Sequence, residues 1–171
     1  MDGGQKQRVA LAKALANTPE VILLDEPFSN IDTFRKNKLR RNLYGYLKAH
    51  DITCITATHD SDEALGFADT ILMLRHGKKE VMGTPQEIIS NLSTPYQAGF
   101  FGSISQIENK TLLPHQLYIS ETKTPHFGKI SNCYFRGHFY ELEIITASGV
   151  LYVQHTISFP KNTEVFVALR E

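Results

Sequence analysis

Cysteine is scarce: Cys54 and Cys133 are the two in 171 residues, and they lie far apart. That spacing suits neither a metal site nor a disulfide framework, so two reduced, buried thiols are expected. The seven histidines form no HxxxH pair and no His/Cys cluster, which argues against zinc. No apolar run approaches the roughly 20 residues of a membrane-crossing helix. Neither sign of charge dominates. Lys+Arg and Asp+Glu both number 18, for a formal net charge of zero. The balance also holds in pieces, with twelve of each sign in residues 1–92 and six of each in 93–171. Dedicated nucleic-acid binders usually carry a basic excess, so no nucleic-acid partner is expected. Met1-Asp2-Gly3-Gly4-Gln5 has no basic region leading into an apolar stretch, and no signal peptide is expected.

The length leaves room for one medium domain or two small ones. Gln5–Ala16, rich in alanine and leucine, reads as a helix with Val9, Ala12, Leu15 and Ala16 on one face. Asn17-Thr18-Pro19 ends it. Val21–Leu24 is uniformly apolar, which suits a central parallel strand covered on both faces. Asp32 is placed to cap a second helix from Thr33 to about Ala49. That helix carries Arg35, Lys36, Lys38, Arg40 and Arg41 beside Phe34, Leu39, Leu43 and Leu47. Thr53–Thr58 is β-branched and reads as a strand. Asp60 and Glu63 form a capping-box-like pair for a short helix to Phe67. Thr70–Leu74 is a third strand, turned by Arg75-His76-Gly77-Lys78 toward Glu80-Val81-Met82. Thr84-Pro85-Gln86-Glu87 opens another helix, to about Leu92.

After Asn91–Pro95 the helical periodicity stops. Short β-like runs recur at Ser103–Ile107, Gln116–Ile119, Lys129–Arg136, His138–Ile145, Val150–Gln154 and Glu164–Leu169, punctuated by Gly128, Gly137, Gly149 and Pro160. They predict a small antiparallel sheet or barrel.

Three segments carry chemistry. Gly3-Gly4-Gln5 opens a helix, where close backbone approach and unpaired N–H groups suit a phosphate. Asp25-Glu26 ends an apolar strand, the position at which open α/β sheets bind ligands. One carboxylate there can hold Mg²⁺ and the other can orient an attacking water; the plain alternative is a solvated acidic loop end. His59, at the end of the next strand, falls on the same sheet edge if the two strands run parallel. A surface or helix-entry histidine is the plain alternative there.

Taken together, GGQKQRVALAKALANTPEVILLDEPFSNID followed by THD resembles the second half of an ABC transporter ATP-binding subunit. Gly3-Gly4-Gln5 matches the end of the LSGGQ signature, Val21 to Asp25 matches Walker B, and Glu26 matches the catalytic glutamate. Ser29-Asn30-Ile31-Asp32 is similar to the D-loop, and His59 to the switch histidine. Gly83-Thr84-Pro85-Gln86-Glu87 resembles a segment of importer ATPases. Residues from about Phe100 resemble, more loosely, the OB-like TOBE module that follows many of them. The resemblance implies the C-terminal part of a RecA-like α/β P-loop ATPase domain over residues 1–92 and a small all-β TOBE-like domain over 93–171. It implies ATP and Mg²⁺ as cofactors. Asp25 would organise Mg²⁺, Glu26 polarise water and His59 contact the γ-phosphate. Gly3, Gly4 and Gln5 would cap a partner's ATP, and Asp32 would couple the two sites. The implied partners are a second ATPase subunit in a homodimer and transmembrane permease subunits, at the cytoplasmic face of the cell membrane.

Two features depart from the pattern. The sequence contains no G-x-x-x-x-G-K-[ST], so the phosphate cradle and its lysine are missing from it. Asp2 stands in place of the signature serine and Met1 in place of leucine; an aspartate there would set a negative charge against phosphate. A start placed inside the signature of a longer gene, or a truncated gene, would give this pattern. A chain of this kind is expected to be inactive alone, with open sheet edges at its first two strands. A TOBE-type regulatory or ligand-binding module is the other reading, since nine aromatics lie between Tyr118 and Phe166; filling a small core explains them more simply. Nucleic-acid binding by Arg35–Arg41 is weighed against a solvated helix face, and the solvated face is preferred.

Overall fold

A computed structural model describes residues 3–170. Met1 and Asp2, which carry the two departures from the signature, lie outside the described residues. The chain divides into two compact units, one up to Ile71 and one from Leu72.

In the first unit, helix α1 (Gly3–Leu15) leads to strand β1 (Val21–Asp25), helix α2 (Thr33–Ala49), strand β2 (Thr53–Ala57) and helix α3 (Ser61–Phe67). The two strands pair in parallel, from Val21 opposite Thr53 to Asp25 opposite Ala57. One face of this ribbon is packed. Ile22, Phe28, Leu43, Leu47 and Ile52 are buried together, with Leu11, Leu15, Leu24 and Tyr44 against them. Asp32 caps α2 by accepting the Arg35 N–H at 3.0 Å.

Three expectations need correction here. The Val21–Leu24 run is not covered on both faces: Leu23 is 72% exposed, because among the described residues β1 and β2 pair only with each other and α2 packs on one side. Helix α1 packs Leu11 and Leu15 half-buried against the core and leaves Val9, Ala12 and Ala16 exposed, so only Leu15 of the predicted stripe is packed. Both cysteines are half-buried rather than buried.

The basic face of α2 is only partly solvated. Arg40 is 3% exposed. Its Nη2 donates to Asp60 Oδ2 at 2.5 Å and lies 3.4 Å from Glu63 Oε2; Lys36 Nζ reaches the same Asp60 oxygen at 2.6 Å. Two carboxylates from the start of α3 are thus neutralised by two cations from α2, which docks the helices together. Asp60 caps α3 by accepting the Glu63 N–H at 3.1 Å. The capping box stays half-made, since the Glu63 side chain turns to Arg40, Tyr44 (2.6 Å) and Thr58 (2.8 Å) instead of the Asp60 amide. Burial disfavours a charged Asp60, but the hydrogen bonds from Lys36, Arg40 and the Glu63 amide outweigh it and hold the carboxyl well below the usual range. Burial, then the bond to Glu63, pushes the Tyr44 hydroxyl up.

In the second unit, β3 (Ile71–Arg75) and β4 (Lys78–Gly83) form a hairpin. His76 and Gly77 both have positive φ, 50° and 74°, as a tight hairpin turn requires. Thr84 and Glu87 make the predicted capping box for α4 (Pro85–Ser90). A short helix, α5 (Pro95–Gly99), and a small hairpin, β5 (Ser105–Ile107) with β6 (Lys110–Leu112), follow; the α5 helix and the β6 strand were not read from the sequence. Strands β7 (Leu117–Ser120), β8 (His126–Phe135), β9 (Tyr140–Thr146), β10 (Gly149–His155) and β11 (Glu164–Leu169) make one antiparallel sheet of order β10-β9-β8-β11-β7. Its core joins Leu117, Ile130, Leu142, Ile144, Leu151, Val153 and Val167, all at most 1% exposed. Gly128 is needed where β8 crosses β9: a Cβ there would sit 2.5 Å from the Ile145 carbonyl oxygen. A bulge between Ile130 and Asn132 then shifts the alternation of β8.

Ile144 (0% exposed) and Ile145 (55%) sit on opposite faces of β9. Ile144→Ala should cost about 2–5 kcal/mol in urea unfolding, and Ile145→Ala no more than about 0.5 kcal/mol. Equal effects would contradict the assigned face. Asp60 gives a pH test. Its folded pKa is depressed, so its contribution is fully present above the unfolded value of about 3.9 and is lost as pH falls through the folded one. The gap in urea midpoint between wild type and Asp60→Asn should therefore shrink on acidification; a gap that widens would contradict the ion pairs.

Candidate functional site

Parallel pairing delivers the ends of β1 and β2 to one edge. Beyond the Asp25–Ala57 pair, the Glu26 N–H still donates to the Ala57 carbonyl at 3.0 Å. The chain then turns sharply at Glu26, with φ at +46°, a left-handed conformation uncommon for a residue with a side chain. The turn is held from outside. Ser29 donates both its N–H (3.2 Å) and its Oγ–H (3.0 Å) to the Glu26 carbonyl. Gln7 Nε2, from α1, donates to Ser29 Oγ at 3.2 Å. Helix α1 is thereby tied to the backbone that aims Glu26.

From the neighbouring strand end, His59 brings Nδ1 to 2.5 Å from Glu26 Oε1. The imidazole is 80% exposed and the carboxylate 36%. The residues on either side of His59 are anchored: Thr58 Oγ1 to Glu63, and Asp60 to Lys36 and Arg40. A carboxylate and an imidazole in contact at an open edge can orient a water and exchange its proton. Asp25, the last residue of β1, is an exposed carboxylate at the same strand end. Among the described residues no three His, Cys, Asp or Glu side chains gather as a metal site. A Mg²⁺ ion commonly takes one or two carboxylates and completes its shell with water and phosphate oxygens. Asp25 fits that role only in the company of phosphates.

The remaining predicted residues form a second group. Gly3 and Gly4, at the start of α1, line a cleft of about 740 Å³ with Asp32, Asn30, Arg8 and Arg35. Gln5 lies on the first turn of α1. Asp25, Glu26 and His59 are at the strand ends; Gly3, Gly4 and Asp32 face the cleft.

Sequence reasoning missed Gln7, Arg40 and Glu63 as supports of this site. Arg40 carried a usable signal: it stands three and seven residues before Leu43 and Leu47, on the buried stripe of α2. Gln7 likewise precedes Leu11 and Leu15 at four-residue spacing.

Comparison with known proteins follows the same motifs. Residues 1–29 match the ABC transporter family. The sulfate/thiosulfate import ATP-binding protein CysA of Synechococcus elongatus is 42% identical over 130 residues, covering 74% of this chain and 36% of that protein. Its counterpart in Synechocystis sp. is 35% identical over 178 aligned positions, covering 100% of this chain and 48% of the relative. This chain thus spans less than half the length of either relative. A solved ABC transporter in an inward-facing conformation shares the fold with a TM-score of 0.51 at 23% identity, over 66% of this chain and 45% of that one. The strand-end carboxylates, the facing histidine and these relatives agree: the chain belongs to the ABC transporter ATP-binding family and is similar to its import ATP-binding proteins.

Proposed function

We propose that this chain carries the hydrolytic half of the ATP-hydrolysing subunit of an ABC importer. The observation that supports it best is the Glu26–His59 contact at the shared end of two parallel strands. In this reading Glu26 polarises the attacking water and accepts its proton, while His59 holds the Glu26 carboxylate in place and contacts the γ-phosphate. Asp25 holds Mg²⁺, which neutralises phosphate charge when bound. Gly3, Gly4 and Gln5 present the N–H groups of α1 to the nucleotide of a second ATPase subunit. Asp32 couples the two sites across that homodimer. Permease subunits in the membrane receive the resulting motion, which places the chain at the cytoplasmic face. The sulfate, thiosulfate and polyamine importers named among its relatives bracket the class of solute. The residues present do not fit the triphosphate by themselves, since the sequence lacks G-x-x-x-x-G-K-[ST]. No bond-breaking step is assigned to this chain alone.

Residues 1–92 are the C-terminal part of the RecA-like ATPase domain and 93–171 the TOBE-like β domain. The other reading, a TOBE-type regulatory or ligand-binding module, draws support from aromatics that do not fill the core as expected: Tyr118, Phe127, Tyr134 and Phe135 are exposed, and the buried core is aliphatic.

Two measurements test this. Calorimetric titration of MgATP into the purified chain should show no binding; a micromolar Kd would overturn the reading that these residues do not hold the triphosphate by themselves. A chimera joining the first half of the Synechococcus elongatus relative to this chain should hydrolyse ATP. In it, Glu26→Gln and His59→Ala should each lower the rate about 100-fold or more. A folded chimera with no activity, or one indifferent to both changes, would refute the proposal.

A further inference from the structure

Arg40 is the most buried cation of the first unit, and the hydrolytic reading assigns it nothing. Its guanidinium contacts both loops that carry the reactive side chains. On one side its carbon lies 5.5 Å from the centroid of the Phe28 ring, which is 1% exposed and two residues beyond Glu26. On the other, Nη2 bonds Asp60 and approaches Glu63. Asp60 directly follows His59, and Glu63 accepts from Thr58, which directly precedes it. His59 itself is 80% exposed, so packing of its own ring does not fix its place; the two anchored neighbours do. Arg40 Nε is buried without a hydrogen-bond partner among the described residues. The guanidinium is therefore committed to the ring and the carboxylates and is not a solvated charge.

We infer that Arg40 is a positioning residue that sets the Glu26–His59 pair by gripping the Phe28 loop and the Thr58–Asp60 turn at once. A planar guanidinium can stack on a ring with its face and bond carboxylates with its edge. A lysine ammonium, a point charge on a flexible stem, cannot do both. The substitution that separates positioning from charge balance is thus Arg40→Lys. Removing the cation outright would leave the buried Glu63 carboxylate without a cation, while Asp60 keeps Lys36.

The readout is the tautomer of His59 in the whole ¹⁵N-labelled chain, followed by long-range ¹H–¹⁵N correlation in mildly alkaline buffer. In wild type, the contact to Glu26 should hold the proton on Nδ1, since the partner of one ring nitrogen selects the tautomer. Glu26→Ala supplies the spectrum of the unpaired ring. Arg40→Lys should lower the Nδ1–H fraction at least twofold toward that reference, while amide shifts of the second unit stay in place. A folded Arg40→Lys chain with the wild-type tautomer would overturn the inference. Should Arg40→Lys fail to fold, Phe28→Leu removes the ring and keeps the charges; it should shift the tautomer in the same direction, and an unchanged pattern there also overturns the inference. The significance of the pair rests on the hydrolytic reading. Failure of that reading would appear in the chimera's rate and leave the tautomer result untouched.

Discussion

The parallel pairing of Val21–Asp25 with Thr53–Ala57 is the constraint on which the site depends. Parallel strands end at the same edge, whereas antiparallel ones would send His59 to the opposite end of the ribbon. Register matters as much as direction. The ladder continues through the Glu26 amide to the Ala57 carbonyl, and the chain then breaks into its left-handed turn. A slip of one residue would flip every side chain of β1 to the other face. Leu43 and Leu47 of α2 resist such a slip, because they fill the space above Ile22 and Leu24.

Burial and reactivity are divided between different residues. Glu26 and His59 are open to a ligand, while Arg40 and Glu63, at the centre of the cluster that holds the His59 turn, are enclosed. That cluster is ionic: Arg40 and Lys36 against Asp60 and Glu63, joined by Tyr44 and Thr58. Desolvating such charges costs free energy, and a well-packed apolar cluster could be equally stable. What an ionic cluster adds is direction. Each hydrogen bond fixes the turn that carries His59 in a way that leucine contacts would not. Gln7 and Ser29 do the corresponding work for Glu26, through its carbonyl rather than its carboxylate.

The two units meet the problem of sheet edges differently. The five-stranded sheet encloses a core of seven side chains at most 1% exposed. The β1–β2 ribbon buries one face and leaves Val21, Leu23 and Ile55 exposed on the other. Such a ribbon is marginal on its own and open to further pairing. Cys54, half-buried under it, has its thiol pushed up by burial and so is a poor nucleophile.

Much of this was legible in the sequence, for local reasons. Helix α2 runs from Thr33 to Ala49 as read, because Asp32 is a strong cap and the leucine stripe has one period. The Thr84–Glu87 capping box closes as read, since both partners lie within four residues. Asp25, Glu26 and His59 were found from their positions at strand ends, and parallel pairing then put Glu26 and His59 in contact. Spacing put Arg40 and Gln7 on the packed faces of their helices, but the sequence could not show which groups they would meet there. Arg40 looks like its neighbours Arg35, Lys38 and Arg41 until α3 brings two carboxylates over it. Gln7 has no readable partner until the fold brings Ser29 within hydrogen-bond reach. Short-range caps and periodicities are written in consecutive residues, so the sequence alone determined the motif and most of the elements, though not α5 or β6. Partners separated by twenty residues or more exist only once the strands have paired, so tertiary structure alone decided what positions the site.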